Sequence, residues 1–273
     1  MIRSLVKFSI VIIVLIIVLI IYLSFYGITT GKFNNHIKSE FSNINKNVKI
    51  DLKNVKFLLN PIKLSINIKT FGPKLLINNK SELELEYIKT NIALKSLINK
   101  RVSIEDLNIS TKLIKINKFI LLARSLKNSP ELFILDTVIK DGYLIGDIKL
   151  NFDDNGKIKD NYEIKGNVKK VKLNILRKYK LDNLNFFFNI KNRSYNFKDI
   201  SVNFNEIKLL SESIKINEKN NQYLVSGKLS SKRKNIELKK LKDLFGKKFK
   251  DYGVDALIFE SNNDFSFIFN KKL

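Results

Sequence analysis

The sequence has no cysteine, a single histidine and few arginines, and each shortage removes a class of function. Without cysteine there is no disulfide framework and no thiolate chemistry. His36 sits alone in a polar stretch. With no cysteine and no serine placed on a nucleophile elbow, it has no partners for a catalytic triad and reads as a solvated residue. No G-x-x-x-x-G-K-[ST] or G-x-G-x-x-G motif offers a phosphate cradle. The scarcity of arginine bears on the charge. Fifty Lys+Arg against 26 Asp+Glu give a formal net charge of +24, which taken alone points to nucleic acid. Arginine is the better reader of bases and phosphates, yet only Arg3, Arg101, Arg124, Arg177, Arg193 and Arg233 are present. The lysines are spread along the chain, and Lys, Asn and Ile are abundant together, as in a genome rich in A and T. The charge therefore reads as a solvated lysine surface, with attraction to anionic lipid headgroups second and nucleic acid excluded as a partner.

Two acidic patterns also read as structural. Glu82, Glu84 and Glu86 share one strand face, but no histidine accompanies them and lysines surround them, so they form a water-facing row. Asn151, Asp153, Asn155 and Gly156 imitate the start of a calcium loop. Position twelve would be Tyr162 rather than glutamate, and the flanks are strands, so a hairpin turn fits. The sequence thus supplies no catalytic residue, no metal site and no cofactor site.

One long apolar run is present. Phe8 to Tyr26 carries no charge, proline or glycine. As a helix it is roughly 28 Å long, about the thickness of a bilayer's hydrocarbon core. It exceeds the h-region of a signal peptide, and Ser24, Phe25, Tyr26 and Gly27 do not make a small-residue cleavage site. Residues 8–27 therefore read as a transmembrane anchor, with Tyr22 and Tyr26 towards one interface. Arg3 and Lys7 before the run nearly balance Lys32 and Lys38 after it. The short tail, 1–7, sets the orientation: N-terminus cytoplasmic, bulk outside the cytoplasm.

After the anchor, apolar residues alternate with period two, the signature of half-buried antiparallel strands. Val48, Ile50 and Leu52 begin it. Ile62, Leu64, Ile66 and Ile68 follow, then Leu83 and Leu85, then Ile104, Leu107 and Ile109. Residues 116–142 break the pattern and predict two helices joined near Asn128. Ser129 is an N-cap, Pro130 suits the first helical position, and Gly142 suits the stop. Alternation then resumes through Leu144 to Phe152, Tyr162 to Val168, Val171 to Ile175 and Leu184 to Ile190. Past a turn at Asn192-Arg193 it continues to Leu229. Residues 237–250 predict a basic amphipathic helix, and Phe265, Phe267 and Phe269 close the chain. The predicted fold is mainly β: one transmembrane helix, then a curled antiparallel meander with an open groove and a few short helices. The units are 33–115, a helical insertion at 116–142, and 143–273.

The inward face of each strand can be ordinary core. Alternatively, part of it binds acyl chains, because a single-layer meander with few helices has too little material to cover its apolar face. Burying that face under lipid is favourable by roughly 25 cal/mol per Å². The groove candidates are Ile148, Leu150, Phe152, Phe186, Phe188, Phe204, Phe265 and Phe267.

These features resemble one family. The anchor, the strands around AsnProIleLysLeuSerIleAsnIle (60–68) and the stretch 83–109 are similar to the start of AsmA-like proteins. Ser96-Leu97-Ile98 and Val102 to Ile109 fill that family's pattern of a strand leading into a second apolar strand. Asp141-Gly142, Gly146, Gly156-Lys157-Ile158 and Gly166 resemble the first sheet repeats of the AsmA, YhdP and TamB group. The resemblance implies a bacterial inner-membrane protein with its bulk in the periplasm. Its β-groove would carry phospholipid towards the outer membrane, with no catalytic residues. The larger members are several times longer. A dozen strands at about 4.8 Å spacing reach only about 60 Å, which implies an envelope protein partner or a longer C-terminal continuation. The alternative reading is a non-enzymatic scaffold for envelope or outer-membrane protein assembly, acting by strand addition at an open sheet edge.

Overall fold

The computed structural model describes residues 2–44, 47–77, 81–95, 104–126, 129–153, 157, 159–175, 179–205, 207–219, 221–239, 242 and 255–270. Helix α1 (Ile2–Phe25) contains a stretch, Leu5–Phe25, of mean hydropathy 3.2 in which no residue is buried, long and apolar enough to cross a membrane. Tyr22 O accepts from both Tyr26 N and Gly27 N. Gly27, at φ +68, ends the helix.

The rest is mainly antiparallel sheet. Its strands follow one hydrogen-bonded path whose first and last members do not pair, so the sheet is not closed. The chain forms two compact units, residues 1–112 with 147–162 and residues 113–146 with 163–273. The sequence pattern divides at 115/116 and 142/143. In the structure β9 (Ile139–Asn151) serves both units, and its C-terminal half, with the residues to Tyr162, lies in the first.

In unit 1, β1 (Ile28–Thr30) pairs with β3 (Val55–Asn60), then come β4 (Ser65–Phe71), β6 (Ser81–Ala93) and β7 (Ile104–Thr111). A second ladder joins β2 (Val48–Asp51), β5 (Lys74–Ile77) and the first part of β6. This ladder seals the core of the unit: Val48, Ile50, Leu52, Val55, Leu75, Ile77, Leu83 and Leu85 are all buried. Helix α2 (Asn34–Ile44) packs on β2 and is tied to it by Lys38 Nζ on Asp51 Oδ1 at 2.6 Å. That ion pair holds the Asp51 carboxyl below its ordinary pKa. The strand pattern did not reveal α2, which carries few apolar residues, or β3, whose apolar residues run without alternation.

Two sequence readings are corrected here. Ile62 and Leu64 are not on a strand. They form the β3–β4 hairpin tip, which Pro61 and the acceptance of Lys63 N by Asn60 Oδ1 bend into a turn, and β4 starts at Ser65. Gly142 does not stop a helix. Helix α4 (Pro130–Val138) ends earlier and Ile139 already begins β9. Gly142, at φ +140, lies within β9, where a Cβ would come 2.5 Å from the Val171 side chain.

Unit 2 opens with β8 (Ile114–Lys115) on β9 and the helical pair α3 (Ile116–Leu126) and α4. Ser129 caps α4 by accepting from Leu132 N, with Pro130 in the first turn, as the sequence predicts. Five long strands follow β10 (Glu163–Ile175), each antiparallel to the one before it: β11 (Tyr179–Lys191), β12 (Ser194–Phe204), β13 (Ile207–Lys219), β14 (Gln222–Glu237) and β15 (Ala256–Asn270). Asn192 and Arg193, both with positive φ, make the expected tight hairpin between β11 and β12. The predicted helix at 237–250 lies mostly outside the described residues; Glu237 itself closes β14 opposite Ala256.

The sequence shows short alternating runs, but the structure joins them into long strands by β-bulges. Val168 and Val171 share β10 across a register shift at Lys170 (φ +53). Leu181 and Leu184 share β11 across Asn183 (φ +54), and Phe197 and Ile200 share β12 across Asp199 (φ +51). Each bulge adds one residue, so apolar side chains three positions apart stay on one face.

Candidate functional site

Cross-strand register shows which side chains share a face, because directly paired residues point the same way. In unit 1 one row runs Ile28, Phe57, Ile68, Thr90, Leu107, Leu150. A second runs Val55, Thr70, Ile88, Ile109, Ile148, and a third runs Leu59, Ile66, Ile92, Ile104. The row through Val55 joins the sealed core. Towards the β3–β4 hairpin the side chains open: Leu59, Ile66 and Ile92 are half-buried and Ile104 is 39% exposed.

The opposite face of unit 1 carries Lys56, Lys69, Lys89, Asn108 and Lys149 in one row. Lys69 lies over the Phe71 and Tyr87 rings at 4.8 and 4.6 Å. Like charges directly opposed weaken a sheet. Lys89→Glu, which sets an acid beside Lys69, is expected to stabilise unit 1 by about 0.5 kcal/mol in urea denaturation. A loss of stability would show that the row is not felt as repulsion. The predicted acidic row is itself engaged with lysines: Glu82 Oε1 lies 2.5 Å from Lys74 Nζ and Glu84 Oε2 lies 2.9 Å from Lys112 Nζ. Both ammonium groups are held above their ordinary pKa by these partners.

In unit 2 two apolar rows cross six strands. One is Gly166, Phe188, Phe197, Ile214, Gly227, Phe265; the other is Ile164, Ile190, Tyr195, Ile216, Val225, Phe267. The row between them faces the other way and is polar: Lys165, Asn189, Asn196, Lys215, Ser226, Ser266. Val168, Val202 and Val225 on the apolar face are buried, but Phe186, Phe188, Tyr195, Phe197, Ile214 and Ile216 are only partly so, and Phe267 is 51% exposed. Two rings form the floor of this face. Phe188 lies over Gly166, and Phe265 over Gly227, so close that a Cβ on either glycine would meet the ring at 2.8 and 3.0 Å.

The predicted residues fall into separate groups. Ile148 and Leu150 stand opposite Ile109 and Leu107 in unit 1, and Phe152 follows them, its backbone N donating to Glu105 O. Phe186 and Phe188 form one cluster with Phe197, ring centroids 5.6–6.3 Å apart. Phe265 and Phe267 form another with Phe269 and Tyr223. Phe204 stands apart from both, stacked on Tyr179 at 5.9 Å and paired with Leu181 and Ile207. Sequence reasoning missed Ile66, Ile68, Ile88, Ile92, Tyr195, Ile214 and Ile216 as members of these faces. The alternation of all but Ile88 and Ile92 was visible, but register was not.

Outside these faces, α3 and α4 present a small apolar knob. Arg124 pairs with Asp136 and lies over the Phe133 ring, while Phe133 and Ile134 are more than half exposed. Among the described residues no group of His, Asp and Glu is arranged to hold a metal ion. Comparison with family models, curated proteins and solved structures returns no match to this chain.

Proposed function

We propose that this chain is a membrane-anchored, non-enzymatic protein that binds phospholipid acyl chains along the apolar faces of its sheets. On this reading it is an AsmA-like protein of the bacterial inner membrane, N-terminus cytoplasmic and bulk periplasmic, that helps move lipid towards the outer membrane. One observation carries the reading. In both units apolar rows remain partly exposed, while the rows that alternate with them on the reverse face, through Lys56, Lys69 and Lys89 and through Lys165, Asn189 and Asn196, are polar. A layer packed over such rows would make a closed core, and lipid chains would remove the same area from water. The chemistry needs no catalytic group, because a non-directional apolar surface holds a chain without fixing its headgroup.

The reading is tested by a photo-crosslinking amino acid at adjacent positions on β13 and on β15. Ile216 and Phe267 on the apolar face are expected to capture phospholipid from membranes. Lys215 and Ser266, one residue away on the polar face, are expected to capture none. Equal labelling at both faces, or no lipid at Ile216 and Phe267, ends the proposal.

One observation favours a scaffold for outer-membrane protein assembly as a second reading. Among the described residues β15 pairs with β14 alone and ends the strand order. Leu257, Ile258, Phe259, Phe267, Ile268 and Phe269 on it are all exposed. Strand addition there would pair its free backbone groups and cover these side chains. A proline at alternate β15 positions separates the readings: it blocks strand addition and leaves lipid capture at Ile216 intact.

A further inference from the structure

The β3–β4 hairpin tip exposes two large aliphatic side chains at a place where the backbone favours others. Ile62 is 94% exposed and Leu64 is 64% exposed. Leu64 takes φ +47, the left-handed region that glycine or asparagine enters more readily. The turn is ordered, with Lys63 N donating to Asn60 Oδ1 at 3.0 Å. In water neither aliphatic residue gains anything from these positions.

The location of the tip supplies a reason. β1 leaves α1 after only Tyr26 and Gly27, and it runs antiparallel to β3, with Ile28 opposite Phe57 and Thr30 opposite Val55. β3 therefore runs back towards α1. The two pack together, and Gly27 sits against Phe57 O and the Leu58 side chain. The tip continues in this direction past Leu59. That direction is towards the final turns of α1, where the Tyr22 and Tyr26 rings stack at 5.6 Å. Tyrosine at the end of an apolar helix marks the level of the membrane interface.

We propose that the Asn60–Ser65 hairpin is a second membrane contact, with Ile62 and Leu64 entering the interfacial layer beside α1 and Lys63 among anionic headgroups. This inference rests on the reading of α1 as a membrane span. It sets the open end of the unit 1 rows, Leu59, Ile66 and Ile92, at the bilayer surface. An acyl chain leaving the membrane would meet these side chains first.

The absence of native cysteine makes a single introduced cysteine a unique label site. The full chain carrying an environment-sensitive fluorophore at Ile62→Cys is reconstituted in phosphatidylcholine–phosphatidylglycerol vesicles. Some of the lipids bear a nitroxide at headgroup or shallow acyl level. Blue-shifted emission and loss of intensity to the shallow nitroxide are expected at position 62, and neither is expected at Phe71→Cys, at the far end of β4. A label at Ile16→Cys checks the premise by its loss of intensity to deep acyl nitroxides. Quenching at 16 with a water-like signal at 62 overturns this inference and leaves the anchor intact. No quenching at 16 overturns the membrane reading and this inference with it. Adding Leu64→Gly is expected to weaken quenching at 62 without lowering resistance to urea. Unchanged quenching would reduce Leu64 to a structural residue and overturn its place in the contact.

Discussion

Leu83→Ala is expected to lower the stability of unit 1 by about 3 kcal/mol, and Ile92→Ala by only about 1 kcal/mol, although both lie on β6. Leu83 is 1% exposed and belongs to the set that includes Val48, Ile50, Leu75, Ile77 and Leu85. Truncation there opens a cavity lined by side chains on two ladders, which cannot collapse around it, so the loss includes transfer and cavity terms. Ile92 faces Ile66 and Ile104 in the half-exposed rows, where water can already reach the site and fill any space left. The contrast, measured by urea denaturation of the two variants, tests whether unit 1 is sealed at one end only. Equal losses would mean that the rows through Ile66 and Ile92 are closed core and that no lipid surface exists there.

The same distinction explains how much of the molecule the sequence discloses. Period-two alternation identifies antiparallel strands wherever one face meets water, and it does so through Phe188, Ile190, Tyr195 and Phe197 without error of face. It loses strands that are apolar on both sides, as in the run Val55 to Leu59, and it cannot place Ile62 and Leu64, whose apolar character belongs to a turn. Bulges hide continuity. The step from Val168 to Val171 looks like the end of one strand and the start of another, because nothing in Lys169-Lys170 announces a positive φ. Helix caps are more legible, since Ser129 and Pro130 act through their own backbone and side-chain chemistry. The candidate site was legible as a list of apolar side chains. Its grouping depends on register, which the five-strand span from Phe188 to Phe265 fixes only through connections whose lengths and bulges must all be known.

Gly166→Ala is expected to destabilise unit 2 by about 3 kcal/mol, far more than its size suggests. An added Cβ would come 2.3 Å from Ile145 O and 2.9 Å from Gly146 Cα, both backbone atoms of the neighbouring strand, and 2.8 Å from the Phe188 ring. Side chains can turn away, but a backbone carbonyl within a ladder moves only by breaking the ladder. Gly72→Ala provides the comparison. Gly72 has φ +56 but nothing within 4 Å of the new atom, so only the backbone penalty of about 1 kcal/mol applies. Phe188→Ala separates the two causes at Gly166. If the ring is the obstacle, the double variant recovers the stability lost by Gly166→Ala. If the Ile145 carbonyl is the obstacle, as the shorter distance indicates, the double variant stays destabilised. In that case glycine is required at 166 so that β9 and β10 can approach closely, and the Phe188 ring lies down on the strands because of that approach. The floor of the apolar face in unit 2 is then a consequence of backbone geometry. Lipid capture at Ile216 should survive Phe188→Leu, which keeps the floor apolar, and fall with Phe188→Asp, which puts a charge in it.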